Sequence, residues 1–417
     1  MKKVLALMLV FAMLLSFAAC GKSESGGGAA DTGSVNSEIL ANPDVQVEIP
    51  EDFKIGIICL HDENSTYDNN FIQAVYSVKE ELGLSDEQVV LKVNVPEDAA
   101  CYDAAAELVD EGCKVIFADS FGHETFMIQA AEEFPDVQFC HATGTKAKTQ
   151  GLANYHNAFA SIYEGRFLAG VAAGMKLNQM IADGKITADQ AKIGYVGAFN
   201  YAEVVSGMTS FFLGVKYMCP SVTMKVQYTN SWFDIAKEKE AALALINSGC
   251  VLISQHADSE GAPKACEEKG VPNVAYNIST ISMGPTTAII SSKIDWAPYF
   301  KIIIKSYSTG AAIPTDYCGT IESGSVALTE LNEAVAAPGT KEKIEEIKAK
   351  LISGEIKVYD TNTFTVDGKK LETYLADVVD AGDFVPETEA IKDGVFAESS
   401  DRSAPYFDIK YIDGISE

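Results

Sequence analysis

Gly112-Cys113-Lys114-Val115-Ile116-Phe117-Ala118-Asp119-Ser120 has a counterpart further along in Gly249-Cys250-Val251-Leu252-Ile253-Ser254-Gln255-His256-Ala257-Asp258-Ser259. Each stretch opens on Gly-Cys, runs through an apolar strand and ends in Ala-Asp-Ser. The two Gly-Cys pairs are 137 residues apart. A second landmark agrees: Lys54-Ile55-Gly56-Ile57-Ile58 is matched, 138 residues on, by Lys192-Ile193-Gly194-Tyr195-Val196. Two landmarks at nearly one offset make an internal repeat, and a unit of this length is the size of a domain.

Within the first unit, Phe71, Val75, Val78 and Leu82 recur at helical spacing before the strand-like Val89-Val90-Leu91-Lys92-Val93. Ala104 to Val109 continues as a helix that Gly112 closes, and Met127 to Phe134 is another, stopped at Pro135. Strands alternating with helices predict a parallel sheet covered on both faces. Two such units predict an α/β protein of two Rossmann-like lobes with a ligand cleft between them. The expected N-terminal lobe is 51–157 with about 285–322, and the expected C-terminal lobe is 158–284 with about 323–417. Gly165, Gly170 and Gly174 lie in an apolar helix and permit close helix packing. Glu164 and Arg166 on the same helix argue against a membrane dimer.

The N-terminus reads as an export signal over 1–19, with Lys2 and Lys3 followed by an apolar run from Val4 to Ala19. Leu15-Ser16-Phe17-Ala18-Ala19-Cys20 resembles the bacterial lipobox, which predicts a lipid on Cys20. Residues 20–50, with Gly26-Gly27-Gly28, read as a flexible tether. The expected location is the outer face of the cell membrane, or the periplasmic side, held by that lipid without a spanning helix.

A net charge of -27 excludes nucleic acid as a partner, because phosphates would be repelled. Nine cysteines without a CxxC pair, several inside strand-like runs, read mostly as buried free thiols. His61, His123, His141, His156 and His256 lack the close spacing of a metal site on one element, so no metal is expected. There is no phosphate-cradling Gly-rich loop with Lys-Ser/Thr and no GxSxG elbow. Asp119 and Asp258 offer an acid–base pair in principle, but no nucleophile stands beside them. The sequence assigns no catalytic residue and no cofactor.

Ligands in parallel sheets sit at the carboxyl ends of strands. In the first lobe those ends supply Tyr67 as an aromatic wall, Asp68 and Asn69 as hydrogen-bonding groups, and Ser120, Phe121 and Gly122 after another strand. In the second, Thr229-Asn230-Ser231-Trp232-Phe233-Asp234 follows a strand and leads into a helix capped by Asp234. Trp232 and Phe233 then stand at the mouth of the cleft, with His256, Asp258 and Asn277 at neighbouring strand ends. Capping alone explains part of Ser65 to Asn70, and Trp232 packing on its own lobe is the plain alternative. Aromatics, amides and carboxylates together suit a flat, hydrogen-bonding ligand.

The string Thr229 to Glu240 resembles the basic membrane protein family of solute-binding lipoproteins, as do Ile162-Tyr163-Glu164-Gly165-Arg166-Phe167-Leu168-Ala169-Gly170 and Phe134-Pro135-Asp136-Val137-Gln138-Phe139. That resemblance implies the type I periplasmic binding protein fold and service to an ATP-driven importer, with permease subunits as partners and a monomeric receptor. It also implies a purine base or nucleoside clamped between aromatics, here Tyr67 and Trp232. Lys293 matches a family lysine near the hinge. Asn277-Ile278-Ser279 replaces the family's acidic, ribose-holding motif, so the resemblance points to a free base such as adenine. The rival classes are a secreted nucleoside hydrolase and a sensor presenting ligand to a receptor kinase.

Overall fold

A computed structural model of the chain describes residues 32–382 and 384–417. The export signal and Cys20 lie outside the described residues. The described chain opens with helix α1 (Thr32–Ala41), then alternates through β1 (Ile55–Ile58), α2 (Thr66–Leu82), β2 (Val89–Lys92), α3 (Ala99–Asp110), β3 (Val115–Ala118), α4 (Glu124–Glu133), β4 (Gln138–Ala142), α5 (Ala147–Gln150) and β5 (Tyr155–Ala160). The repeat follows: α6 (Ile162–Ala182), β6 (Lys192–Gly197), α7 (Ala202–Met218), β7 (Thr223–Tyr228), α8 (Ile235–Asn247), β8 (Leu252–His256), α9 (Gly261–Lys269), β9 (Asn273–Tyr276) and β10 (Ala288–Ile294). Then come α10 (Ala297–Thr309), β11 (Asp316–Gly319), β12 (Val326–Leu328) and α11 (Thr340–Ile352). Short strands β13 (Leu375–Ala376), β14 (Thr388–Glu389), β15 (Ile391–Lys392), β16 (Val395–Phe396) and β17 (Ile415–Ser416) end it.

The first sheet runs β11-β5-β4-β3-β1-β2 and the second β12-β10-β9-β8-β6-β7-β17. All pairings in both are parallel except β10 with β12. The repeat read in the sequence is therefore a repeat of topology: β1 and β6 occupy equivalent places, as do β3 and β8. Gly112 and Gly249 have φ of 88° and 92°, a left-handed conformation that an L side chain resists. That explains why each Gly-Cys pair marks the turn into its strand.

The chain crosses between lobes after β5, after β10 and after β11. The expected second crossing near residue 285 is thus placed later, because β10 pairs with β9 in the second sheet and only α10 and β11 return to the first. Trp296 sits at this crossing, 2% exposed, with its ring stacked 4.4 Å from that of Phe71. Apolar packing at the crossing fixes where the chain changes lobe.

In its described part, the tether expected over 20–50 is a docked helix, Thr32–Ala41, followed by an irregular stretch. Ile39 is fully buried against Ile302 of α10 and Ala311, and Lys301 pairs with Asp44 at 2.6 Å. A polar composition concealed one apolar face with a partner waiting for it. The eight described cysteines are all free, seven of them buried. Among the described residues, no helix is long and apolar enough to cross a membrane.

Helices α6 and α7 cross backbone against backbone. A Cβ added at Gly170 would lie 2.2 Å from the Phe211 carbonyl oxygen, and one at Gly214 would lie 2.1 Å from that of Phe167. Neither backbone can yield without separating the helices. Gly214→Ala is expected to destabilise the protein by about 1–3 kcal/mol, read as a lower urea midpoint, whereas alanine at the solvent-facing Lys341 should leave the midpoint within error.

Candidate functional site

The carboxyl ends of the two sheets face each other, and the lobes touch there. The Thr66 amide donates to the Asp258 carbonyl across the cleft at 2.8 Å. The His61 and Phe233 rings, from opposite lobes, are 5.3 Å apart. Between these contacts lies a small cavity, about 370 Å³ of empty space with its opening counted.

Of the residues singled out from the sequence, Tyr67, Asp68, Ser120, Phe121, Trp232, His256 and Asp258 line this one cavity. Tyr67 is fixed by its hydroxyl, which donates to the Asp119 carbonyl at 2.7 Å, and by edge contact with Phe71. Trp232 packs edge-on against Phe199 at 5.0 Å and keeps part of its surface on the cavity. The two aromatics therefore come from opposite lobes. Asp234 caps α8, accepting from the Lys237 amide at 3.0 Å, and this cap sets the loop that carries Trp232.

The remaining expected residues lie off this cavity. Asn69 accepts from Gln73 one turn along α2 and does not line the cavity, since it lies a helical step away from Asp68. Gly122 makes room for Glu97 rather than for a ligand: its amide donates to Glu97 Oε1 at 2.8 Å, and a Cβ would meet that side chain at 2.6 Å. Phe233 spends its ring on His61. Asn277 is buried behind the wall, where its side-chain amide donates to Asp258 Oδ1 at 3.2 Å. Lys293 sits on β10 beside Asp295, 3.9 Å away, away from the cavity.

Four lining residues were not selected from the sequence: Leu60, His61, Thr143 and Glu203. The first three follow strands β1 and β4, where the strand-end rule already pointed. Glu203 lies in the first turn of α7, a little beyond that window. Its carboxylate is 3.5 Å from His256 Nε2.

The protonation pattern follows from burial. Burial pushes the Asp119 carboxyl well above the ordinary value, and the charge of Asp68 adds to it. For Asp68 burial acts the same way, but hydrogen bonds from His61, Ser65 and Asp119 outweigh it and hold the group below its usual value. The opposite directions favour the protonated form at Asp119 and the charged form at Asp68. Burial, with the charges of Glu238, Asp68 and Glu203, also pushes Asp258 well up, which favours its protonated, donating form. Burial, helped by the Arg166 charge, lowers His256 against the opposing Glu203 carboxylate and so favours the neutral imidazole. The cavity therefore presents a carboxylate acceptor, a carboxylic acid donor and a neutral imidazole between aromatic faces.

Cys59, Asp68 and Asp119 place ligand-type atoms within 4.8 Å of one another. Burial and the nearby Asp119 and Asp68 charges hold the Cys59 thiol well above its ordinary value, so it keeps its proton.

The family described as ABC transporter substrate-binding protein, PnrA-like, matches residues 58–362. A purine-binding protein of Brucella abortus (strain 2308) is 32% identical over 323 residues, which is 77% of this chain and 85% of that protein. A putative ABC transporter glucose-binding protein of Haloferax volcanii is 32% identical over 250 residues, 60% of each chain. Among solved structures, an ABC transporter solute-binding protein from Conexibacter woesei superposes with a TM-score of 0.60 at 18% identity, covering 73% of this chain and 98% of its own. The two-lobed periplasmic binding protein fold is common to both.

The opposite directions make the two acids unequal. Asp119→Asn keeps a donor toward Asp68 and an acceptor for the Leu60 amide, and should change stability by about 1 kcal/mol or less at pH 7. Asp68→Asn turns an amide donor toward groups that already donate, and should cost about 1–3 kcal/mol. Urea unfolding of both variants measures the difference, and equal costs would contradict that inequality.

Proposed function

The chain belongs to the PnrA-like family of ABC transporter substrate-binding proteins, and on that premise we propose that it captures a purine base, adenine ahead of a nucleoside, between Tyr67 and Trp232. The observation that carries this reading is the pairing of two aromatic side chains from opposite lobes on one small cavity. Stacking on an aromatic face contributes about 1–3 kcal/mol per base, and a purine presents a face to each wall. Its rim needs both acceptors and donors. Asp68 takes a ring or exocyclic N–H and protonated Asp258 can donate to a ring nitrogen, while the Ser120 and Thr143 hydroxyls, which donate to Glu97 Oε1 and to the Ala142 carbonyl, offer lone pairs as acceptors. The Asn277-Ile278-Ser279 segment offers no carboxylate for a ribose, which favours the free base.

The receptor then hands its ligand to permease subunits and works as a monomer. A lipid on Cys20 holds it at the outer membrane face, a reading supported by the lipobox-like Leu15 to Cys20. No catalytic step is assigned to it.

Calorimetric titration with adenine, guanine, adenosine, guanosine and glucose tests the ligand. Adenine is expected to bind most tightly, and Trp232→Ala to weaken it by about tenfold or more. Binding of glucose with silence toward every purine would sink the reading, as would a Trp232→Ala variant with unchanged affinity for adenine.

A further inference from the structure

A second, larger chamber opens from the inner cavity. It holds about 1230 Å³ counting its mouth, and shares Phe121, Thr143, Glu203 and Trp232 with the inner cavity. Its far wall is built by residues 377–408, beyond residue 362, where the family match ends. That segment is tied to both lobes. On the first, the Ser403 amide donates to Asp316 Oδ2 at 2.9 Å and the Thr149 hydroxyl to the Asp380 carbonyl at 2.8 Å. On the second, Phe407 stacks 4.4 Å from Tyr359, whose hydroxyl donates to the Ser206 carbonyl at 2.7 Å.

The polar groups of this wall are largely engaged. Arg402 spends its three nitrogens on the carbonyls of Ala404, Val378 and Pro405. Asp380 accepts from Thr145 and from the Gly382 amide, and Asp408 from the Tyr374 hydroxyl. What the chamber presents is apolar: Ala404 and Pro405 on one side, Phe121 and Tyr201 on the other. Phe121 is 39% exposed and Tyr201 49%, and their rings lie 6.2 Å apart across the lobes. Aromatic surface left open in one place marks a binding surface. Because it continues from the inner cavity, the occupant is the outer part of whatever the inner cavity holds.

We propose that this chamber is a subsite for an apolar, aromatic substituent carried on the base, so that the natural ligand is a substituted purine rather than a bare one. The proposal rests on the purine reading above. An aromatic substituent would meet the exposed parts of the Phe121 and Tyr201 rings, Tyr201 being held in place by stacking on Phe199 at 5.0 Å.

The test compares adenine, N6-benzyladenine, 9-benzyladenine and adenosine by calorimetry on the soluble chain without its export signal. At least one benzyl compound should bind about tenfold more tightly than adenine, since a phenyl ring leaves water. Ala404→Phe fills the chamber and Tyr201→Ala removes a face. Each should shrink the ratio of adenine to benzyladenine dissociation constants, and retained adenine binding by Ala404→Phe shows that variant is folded. Adenine binding with no gain from either benzyl group, or a gain from adenosine alone, overturns the subsite and leaves the purine reading standing. Silence toward all four compounds overturns both.

Discussion

A full positive charge is buried in the second lobe, and the chemistry of the cleft wall is arranged around it. Arg166 is 1% exposed, and no carboxylate pairs with it among the described residues. It donates instead to the Tyr195 hydroxyl on β6, the Gln255 carbonyl on β8 at 3.0 Å and the Ser292 hydroxyl on β10. Its guanidinium lies 4.4 Å from the centre of the Tyr276 ring on β9. One side chain thus touches four neighbouring strands of one sheet. A buried charge held by dipoles and a ring is costly to desolvate, so those strands cannot shift without exposing the cost. The same charge disfavours a proton on His256. Gly207 lets α7 come close: a Cβ there would stand 3.2 Å from both Arg166 Nε and His256 Nδ1. That approach also brings Glu203, one turn earlier, to the cavity.

The repeated Ala-Asp-Ser shows how one local sequence serves two roles. In each lobe the Asp follows the same strand and is buried. In the first lobe its neighbour is Asp68, whose charge adds to burial in favouring its protonated form. In the second its side chain meets the Asn277 amide, and its carbonyl receives the Thr66 amide from the other lobe. The contact that joins the lobes is therefore made by the backbone of one repeated Asp, while its side chain faces the cavity. Sequence similarity located both residues but could not distinguish them, because the difference lies in partners that only the fold brings alongside: Asp68 in the first lobe, and Asn277 and Thr66 in the second.

Much of the fold was legible for local reasons. Apolar periodicity marked the strands and helices, Gly112 and Gly249 marked left-handed turns, and Asp234 marked a helix start. The site was legible where a strand end aims a side chain along the sheet, as for Trp232, His256 and Asp258. It was not where a loop residue has a nearer partner: Phe233 meets His61, Gly122 accommodates Glu97, and Asn69 turns to Gln73. Strand ends name a neighbourhood, and competition among neighbours decides which side chains remain free for a ligand.

The C-terminal segment was the least legible, and physics explains why. From residue 363 onward it has little regular structure, so no period announces it, yet Phe364, Phe396, Tyr406 and Phe407 are almost fully buried. Its order comes from side-chain partners rather than from a backbone ladder. Its two attachments differ in kind. Toward the second lobe it contributes stacked aromatics and the parallel pairing of β17 with β7, which cannot part without wetting an apolar core. Toward the first lobe it offers hydrogen bonds, such as Ser403 with Asp316 and Lys148 with the Asp401 carbonyl. Water can replace those partners at modest net cost. A segment bound firmly on one side and exchangeably on the other can span a cleft without locking it.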